Sequence, residues 1–209
     1  MVFQLGERLV FPNPSLADED GLLALGGDLS TERLLLAYKN GIFPWYSEDE
    51  PICWYSPHER FVILPSEVKI SKSILQVMRS QKFSITLNTA FSDVIASCAK
   101  ALRKEQDGTW IIPEMQKAYI NLHLLGYAHS VEVWQNDELV GGLYGVLIGK
   151  VFCGESMFSK VSNTSKLALI WLCQNLDVQL IDCQLHTEHL ESMGAKMISR
   201  VEFMGYFGS

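Results

Sequence analysis

Apolar residues recur at helical spacing in five stretches of the chain, and in alternating or near-continuous runs between them. Leu34, Leu35, Ala37 and Tyr38 give an apolar face that starts behind Ser30 as N-cap and stops at Asn40-Gly41. Residues 71–80 and 90–103 predict two further helices on either side of a strand at 83–87. Residues 113–125 are amphipathic, with Met115, Ala118, Tyr119, Leu122 and Leu125 on one face, and Gly126 ends them. Three consecutive strands follow at 129–134, 139–148 and 150–154, joined by turn signals at Asn136-Asp137 and Gly149. A helix at 165–175 and a strand at 180–185 complete the pattern. Neighbouring strands in 129–154 can pair antiparallel, while the later helix crosses over to bring in the next strand. The expected fold class is therefore α+β with a mixed sheet.

The first part of the chain reads differently. Phe11-Pro12-Asn13-Pro14, Gly26-Gly27, Gly41, Pro44, Pro51 and Pro57 break it into short elements and tight turns. This predicts a small N-terminal domain over 1–60 and a larger domain over 61–209. With 48% hydrophobic residues, the 209-residue chain buries a real core. Residues 1–9 lack the basic and then apolar regions of a leader, and no apolar run approaches the roughly 20 residues that cross a bilayer. A cytoplasmic location without membrane partners is expected. The five cysteines show no CxxC spacing and read as reduced core or pocket thiols.

A net charge of −7 argues against a nucleic-acid ligand until its distribution is considered. Residues 1–60 hold four basic and ten acidic side chains and residues 118–209 hold five and nine, but 61–117 hold eight and five. Within that middle block Lys69, Lys72, Arg79, Lys82, Lys100, Arg103 and Lys104 face only Asp93. The block reads either as a solvated helix face or as a footprint for an RNA backbone.

Four further features carry chemistry. Gly154-Glu155-Ser156-Met157-Phe158-Ser159 ends a strand and precedes a helix, where sheet edge and helix N-terminus open on one crevice, and Glu155 sits there among apolar neighbours. Ser162-Asn163-Thr164-Ser165-Lys166 offers hydroxyls and a cation at a helix start, an environment that a phosphate fits and that capping alone also explains. Asp182 and Gln184 are two apart and share a side of an otherwise apolar strand, as a working pair or as a structural hydrogen bond. Trp45, Trp54, Tyr55 and Trp110 fall in loop or turn contexts that suit base stacking, or packing between the domains. The five histidines show no metal spacing, and no GxGxxG, Walker or GxSxG motif is present.

Taken in order, Phe11-Pro12, GLLALGGDLS (21–30), GIFPWY (41–46), WYSPHER (54–60), GTWI (108–111), AHSVEVW (128–134), LVGGLYGV (139–146), FCGESMFS (152–159), DCQ (182–184) and HLESMGA (189–195) resemble the leucyl/phenylalanyl-tRNA–protein transferase family. Each motif is short, but their joint order is highly specific. The resemblance implies a small N-terminal domain followed by a GCN5-related acetyltransferase-like domain. It implies transfer of Leu or Phe, and Met as a third donor, from aminoacyl-tRNA to proteins that begin with Arg or Lys, marking them for degradation. The ester is already activated, so no cofactor or metal is implied.

It also implies roles. Asp182 and Gln184 would form the catalytic relay. Leu143, Phe152, Met157, Leu172 and Ile181 would line the aminoacyl pocket together with Glu155, and Trp45 and Trp110 would hold the terminal adenosine. A neutral amide is no strong base, so Asp182 is expected to accept a hydrogen bond from the Gln184 NH2 and aim its carbonyl oxygen at the attacking amine. The chain departs from the family at His58-Glu59, where Asp-Pro is usual, and at Thr164, where alanine is usual. An acetyl-CoA-dependent enzyme is the competing reading, but residues 160–166 contain no glycine for a pyrophosphate to approach. A peptidoglycan-building aminoacyl-tRNA transferase usually repeats the domain, for which 209 residues are too few. A plain RNA-binding module leaves Glu155, Asp182 and Gln184 without purpose.

Overall fold

The computed structural model describes residues 2–101 and 110–207. In chain order the elements are β1 (Phe3–Leu5), β2 (Leu22–Gly26), α1 (Thr31–Lys39), β3 (Phe43–Pro44), β4 (Cys53–Tyr55), β5 (Glu59–Ile63), α2 (Lys72–Arg79), β6 (Ser84–Leu87), α3 (Phe91–Lys100), α4 (Pro113–Leu124), β7 (Ala128–Gln135), β8 (Glu138–Ile148), β9 (Val151–Ser159), α5 (Thr164–Asn175), β10 (Leu180–Gln184), α6 (Glu188–Ser192), β11 (Lys196–Ser199) and α7 (Arg200–Gly205). The helices expected from periodicity are present, and Ser30 caps α1 through the Arg33 amide. Strands β1 to β4 were not legible as strands, because each has two to five residues, too few to show a period. They form a four-stranded sheet ordered β1-β2-β4-β3. Trp54 lies on β4 and is fully buried, its indole N–H donating to the Gly26 carbonyl, so it is a core residue and no stacking platform.

The second sheet has seven strands, ordered β11-β5-β10-β9-β8-β7-β6. All neighbours pair antiparallel except β9 and β10, which are parallel and joined by the crossover helix α5. This is the mixed sheet that the pattern predicted. Alternation along the strands divides the core between the two faces. Val131, Val133, Leu143 and Phe152 pack with α5 and α2 on one, while Tyr144, Val146 and Cys153 pack with α3, α4 and α1 on the other.

Two irregularities in the central strands decide what the sheet can do. Strands β9 and β10 pair only from Leu180↔Val151 to Asp182↔Cys153, and beyond that point they part. β9 does not end at Gly154, as the turn-like composition suggested, but continues beside β8 to Ser159. Its register shifts by one residue, with Tyr144 opposite Ser156 and Gly145 opposite Gly154, which leaves Glu155 as the extra residue of a β-bulge. β10 bulges as well, since Asp182 faces Val62 and Gln184 faces Phe61, leaving Cys183 over. The expected simple alternation of Asp182 and Gln184 is therefore broken. Gln184 instead adopts φ +63°, held by its backbone N–H donating to Asp182 Oδ1 at 2.9 Å.

The β9 bulge depends on a glycine across the ladder. A Cβ on Gly145 would lie 2.2 Å from the Cys153 carbonyl oxygen and 2.6 Å from the Phe152 ring. Gly145→Ala should therefore lose about 1–3 kcal/mol of stability, read as a lower urea midpoint with unchanged slope, and Gly6→Ala, with open space around it and no positive φ, serves as the control for overpacking.

Candidate active site

The parting of β9 and β10 opens a cavity of about 640 Å³. One half is lined by Leu143, Phe152, Met157, Leu169 and Ile181, the other by Phe43, Pro44, Trp45, Trp110 and Tyr144, and Glu155, Asp182, Cys183 and Gln184 lie along the split. Because Leu143, Phe152 and Leu169 belong to the α5 side of the sheet and Phe43 and Tyr144 to the α1/α4 side, the cavity joins the two faces. Of the expected pocket residues, Leu143, Phe152, Glu155, Met157 and Ile181 line it together with Trp45 and Trp110. Leu172 does not. It is fully buried in the core, and Leu169, one turn earlier on α5, takes the cavity position.

Asp182 is fully buried and paired with Arg60, which is 1% exposed. Arg60 Nε donates to Oδ1 at 3.1 Å and Nη2 to Oδ2 at 2.5 Å, while Nη1 donates to the Gly41 carbonyl at 2.9 Å. The guanidinium lies against the rings of Phe43 and Phe203, at 4.7 and 4.6 Å. Burial works against its charge, but the Asp182 carboxylate more than offsets this and raises the Arg60 pKa. With one oxygen on Arg60 and the other shared between Arg60 and the Gln184 amide N–H, Asp182 does not hold the Gln184 side chain as expected.

That role falls to Glu155. Gln184 Nε2 donates to Glu155 Oε1 at 2.9 Å, across the gap between the two bulges. The Tyr38 hydroxyl from α1 donates to the same oxygen at 2.7 Å, and the Tyr119 hydroxyl from α4 to Oε2 at 3.1 Å. The two hydroxyls also touch each other. Glu155 is 7% exposed, and this burial pushes its pKa up to about 7, against the lowering effect of the tyrosine and Gln184 donors. Both tyrosines are raised well above their ordinary value, first by burial and then by the neighbouring Glu155. In the sequence Tyr38 and Tyr119 read as apolar-face residues. The one available signal is that a buried tyrosine needs a partner for its hydroxyl.

At the helix start 162–166 the protein itself engages the Ser165 amide and the Thr164 hydroxyl. Ser159 Oγ accepts the Ser165 amide at 3.0 Å, and the Thr164 hydroxyl donates to the Val140 carbonyl at 3.0 Å while the residue packs against Gly141. The basic block does not form one surface. Lys69, Lys72, Arg79 and Lys82 lie on or beside α2, which packs with α5, whereas Lys100 ends α3 on the opposite face of the sheet. All five are exposed. Arg103 and Lys104 lie outside the described residues. Among the described residues no cluster of three or more His, Cys, Asp or Glu could hold a metal ion, and no helix is long and apolar enough to cross a membrane.

Residues 62–207 match the leucyl/phenylalanyl-tRNA protein transferase family, and residues 27–58 match the N-terminal domain of the same family. The chain belongs to this family. It is 57% identical over 206 residues to a leucyl/phenylalanyl-tRNA–protein transferase of Syntrophobacter fumaroxidans, covering 97% of this chain and 88% of the relative. It is 52% identical to that of Flavobacterium johnsoniae over the full length of both chains. Among solved structures FemX aligns with a TM-score of 0.50 at 9% identity, over 81% of this chain and 66% of FemX, a likeness of fold alone. The α+β class with a mixed sheet expected from the pattern is the one found.

Two expectations follow from the buried charges. Arg60→Met leaves Asp182 buried without its partner, and should cost about 3–5 kcal/mol in urea unfolding. The second concerns pH. Between the ordinary glutamate value of 4.5 and about 7 the unfolded chain has lost the Glu155 proton and the folded chain keeps it, so stability falls as pH rises through this window. Wild type should lose roughly 3 kcal/mol relative to Glu155→Gln across it, measured as the difference in unfolding free energy at pH 4.5 and pH 8.

Proposed function

We propose that the cavity takes the aminoacylated 3′ end of a tRNA and that the enzyme transfers Leu or Phe, and also Met, to the N-terminal Arg or Lys of an acceptor protein, which marks that protein for degradation in the cytoplasm. The observation that carries this reading is the two-sided cavity: an apolar half and an aromatic half, with one oriented amide between them. The apolar half, with Met157 as its adaptable wall, suits an unbranched-β donor side chain. Trp45 and Trp110 suit the adenine ring, and family membership supplies the donor class.

In the reaction the neutral α-amine of the acceptor attacks the ester carbonyl carbon. The new C–N bond forms, the bond to the ribose 3′ oxygen breaks, and the proton lost by the amine ends on that oxygen. An N-terminal amine with a pKa near 8 is already partly neutral, so positioning outweighs strong base catalysis. Gln184 Nε2 is spent on Glu155, which leaves the amide oxygen to accept an N–H from the amine and set its line of attack. Asp182 acts through the backbone of Gln184, and Arg60 through Asp182. The RNA backbone runs along the α2 side, where Lys69, Lys72, Arg79 and Lys82 are exposed, with Lys100 as a separate contact.

The test is to incubate the purified protein with labelled Phe-tRNA and a peptide that begins with Arg, alongside labelled acetyl-CoA. Label should pass to the peptide from Phe-tRNA and not from acetyl-CoA, and the reverse result rejects the assignment. Gln184→Ala should lower kcat by about 100-fold or more with little change in donor KM. Retention of most activity would remove Gln184 from the reaction.

A further inference from the structure

The contacts around Glu155 pose a problem of proton count. Three oxygen–oxygen contacts close a ring: Tyr38 hydroxyl with Oε1, Tyr119 hydroxyl with Oε2, and the two hydroxyls with each other. With the carboxyl ionised, only two hydroxyl protons serve three contacts, and one pair of oxygens faces across a gap without a hydrogen. A third proton closes the ring. The ring can run in either sense, and the Gln184 NH2 on Oε1 selects one: the proton sits on Oε2 and is donated to the Tyr119 oxygen, Tyr119 then donates to Tyr38, and Tyr38 donates to Oε1.

In both states Oε1 remains an acceptor, and it is Oε1 that receives the Gln184 NH2 at 2.9 Å. Were the proton free to move to Oε1, a hydroxyl would face that NH2, donor against donor, and the amide would turn over to present its oxygen. Gln184 would then offer NH2 to the attacking amine instead of an acceptor. We propose that Tyr119, supported by Tyr38, is a positioning residue that takes the Glu155 proton on the Oε2 side and so keeps Gln184 in its working orientation whether or not the carboxyl is protonated. This rests on the reading of Gln184 as the group that meets the acceptor amine.

The other groups facing Glu155 agree with a proton shared near neutrality. Burial and Asp182 on β10 favour the acid, and the tyrosines on α1 and α4 with Gln184 oppose them, for a balance at about 7. The Cys153 thiol on β9 is pushed well up by burial and stays neutral, Arg60 on β5 is committed to Asp182, and Tyr144 on β8 meets the Tyr119 ring edge-on at 5.8 Å. A device that works on both sides of neutrality is what such a carboxyl requires.

The experiment follows transfer from Phe-tRNA to an Arg peptide at pH 6 and pH 8.5 in wild type, Tyr119→Phe and Tyr38→Phe, with 15N-glutamine and carboxyl-13C-glutamate NMR on the same full-length proteins without substrate. Removing the Tyr119 oxygen frees the proton, so Tyr119→Phe should lose about tenfold more activity at pH 6 than at pH 8.5, relative to wild type. Tyr38→Phe keeps the acceptor for the proton, and its loss should be nearly equal at the two values. In the spectra the Gln184 side-chain amide, assigned by its absence in Gln184→Ala, should give one environment at both values in wild type and two at pH 6 in Tyr119→Phe. Glu155, assigned through Glu155→Gln, should be protonated at pH 6. An equal loss for Tyr119→Phe at both values with a single amide environment overturns the proposal, as does an ionised Glu155 at pH 6. A wild type that transfers nothing rejects the transfer reading instead, while the spectra still decide the orientation of the amide.

Discussion

Arg60 and Asp182 form an ion pair with no exposed partner, taken out of water at the point where the two sheets meet. Such a pair holds only if its other hydrogen-bonding groups find partners, and here all three guanidinium nitrogens and both carboxylate oxygens are bonded. The fifth-strand arginine spends its spare N–H on the Gly41 carbonyl at the end of α1, and the spare capacity of Asp182 goes to the backbone of Gln184. Those two bonds fix where α1 stops relative to the large sheet and where β10 parts from β9. Phe43 and Phe203 close over the guanidinium from β3 and α7, so elements distant in sequence share one charge. The pair is thus less a source of net stability than a constraint on geometry.

From that constraint the site follows. β10 parts from β9 after Asp182, while staying paired with β5 to Gln184, and β9 runs on to Ser159, so the gap between them becomes a cavity with an apolar side and an aromatic side. A bulge on each strand turns one side chain into the gap, Glu155 from β9 and Gln184 from β10, and their hydrogen bond spans it. The α1 end that Arg60 anchors also delivers Tyr38 to Glu155. Orientation of a neutral amide is then set by a carboxyl, the carboxyl by two buried hydroxyls, and both by the packing of α1 and α4 on one face of the sheet.

The sequence made much of this legible and hid the rest for identifiable reasons. Period and punctuation located α1 to α5 and the β7-β8-β9 run, because each is long enough to show its repeat. Short strands such as β3, with two residues, carry no period, and β9 seemed to end at Gly154 because Gly, Glu and Ser resemble a turn although a bulge uses them equally well. The motifs named Glu155, Asp182 and Gln184, but a one-residue bulge at Cys183 depends on the register against β5, which local composition does not encode. Tyr38 and Tyr119 satisfied a helical apolar pattern and so concealed their hydroxyls. The lysines of 69–100 are neighbours in sequence and separate in space, since α2 and α3 pack on opposite faces of the sheet.

The central claim is that one cavity holds the donor across both faces of the sheet with Gln184 between the halves. A crystal structure with a hydrolysis-resistant phenylalanyl-adenosine analogue, amide-linked at the 3′ position, tests it directly. The phenyl ring should lie among Leu143, Phe152, Met157, Leu169 and Ile181, the adenine against Trp45 and Trp110, and the Gln184 amide oxygen toward the space from which the acceptor amine reaches the donor carbonyl carbon, with its nitrogen on Glu155. An analogue bound with adenine in the apolar half, or with the Gln184 nitrogen turned into the space of the acceptor amine, would contradict the account.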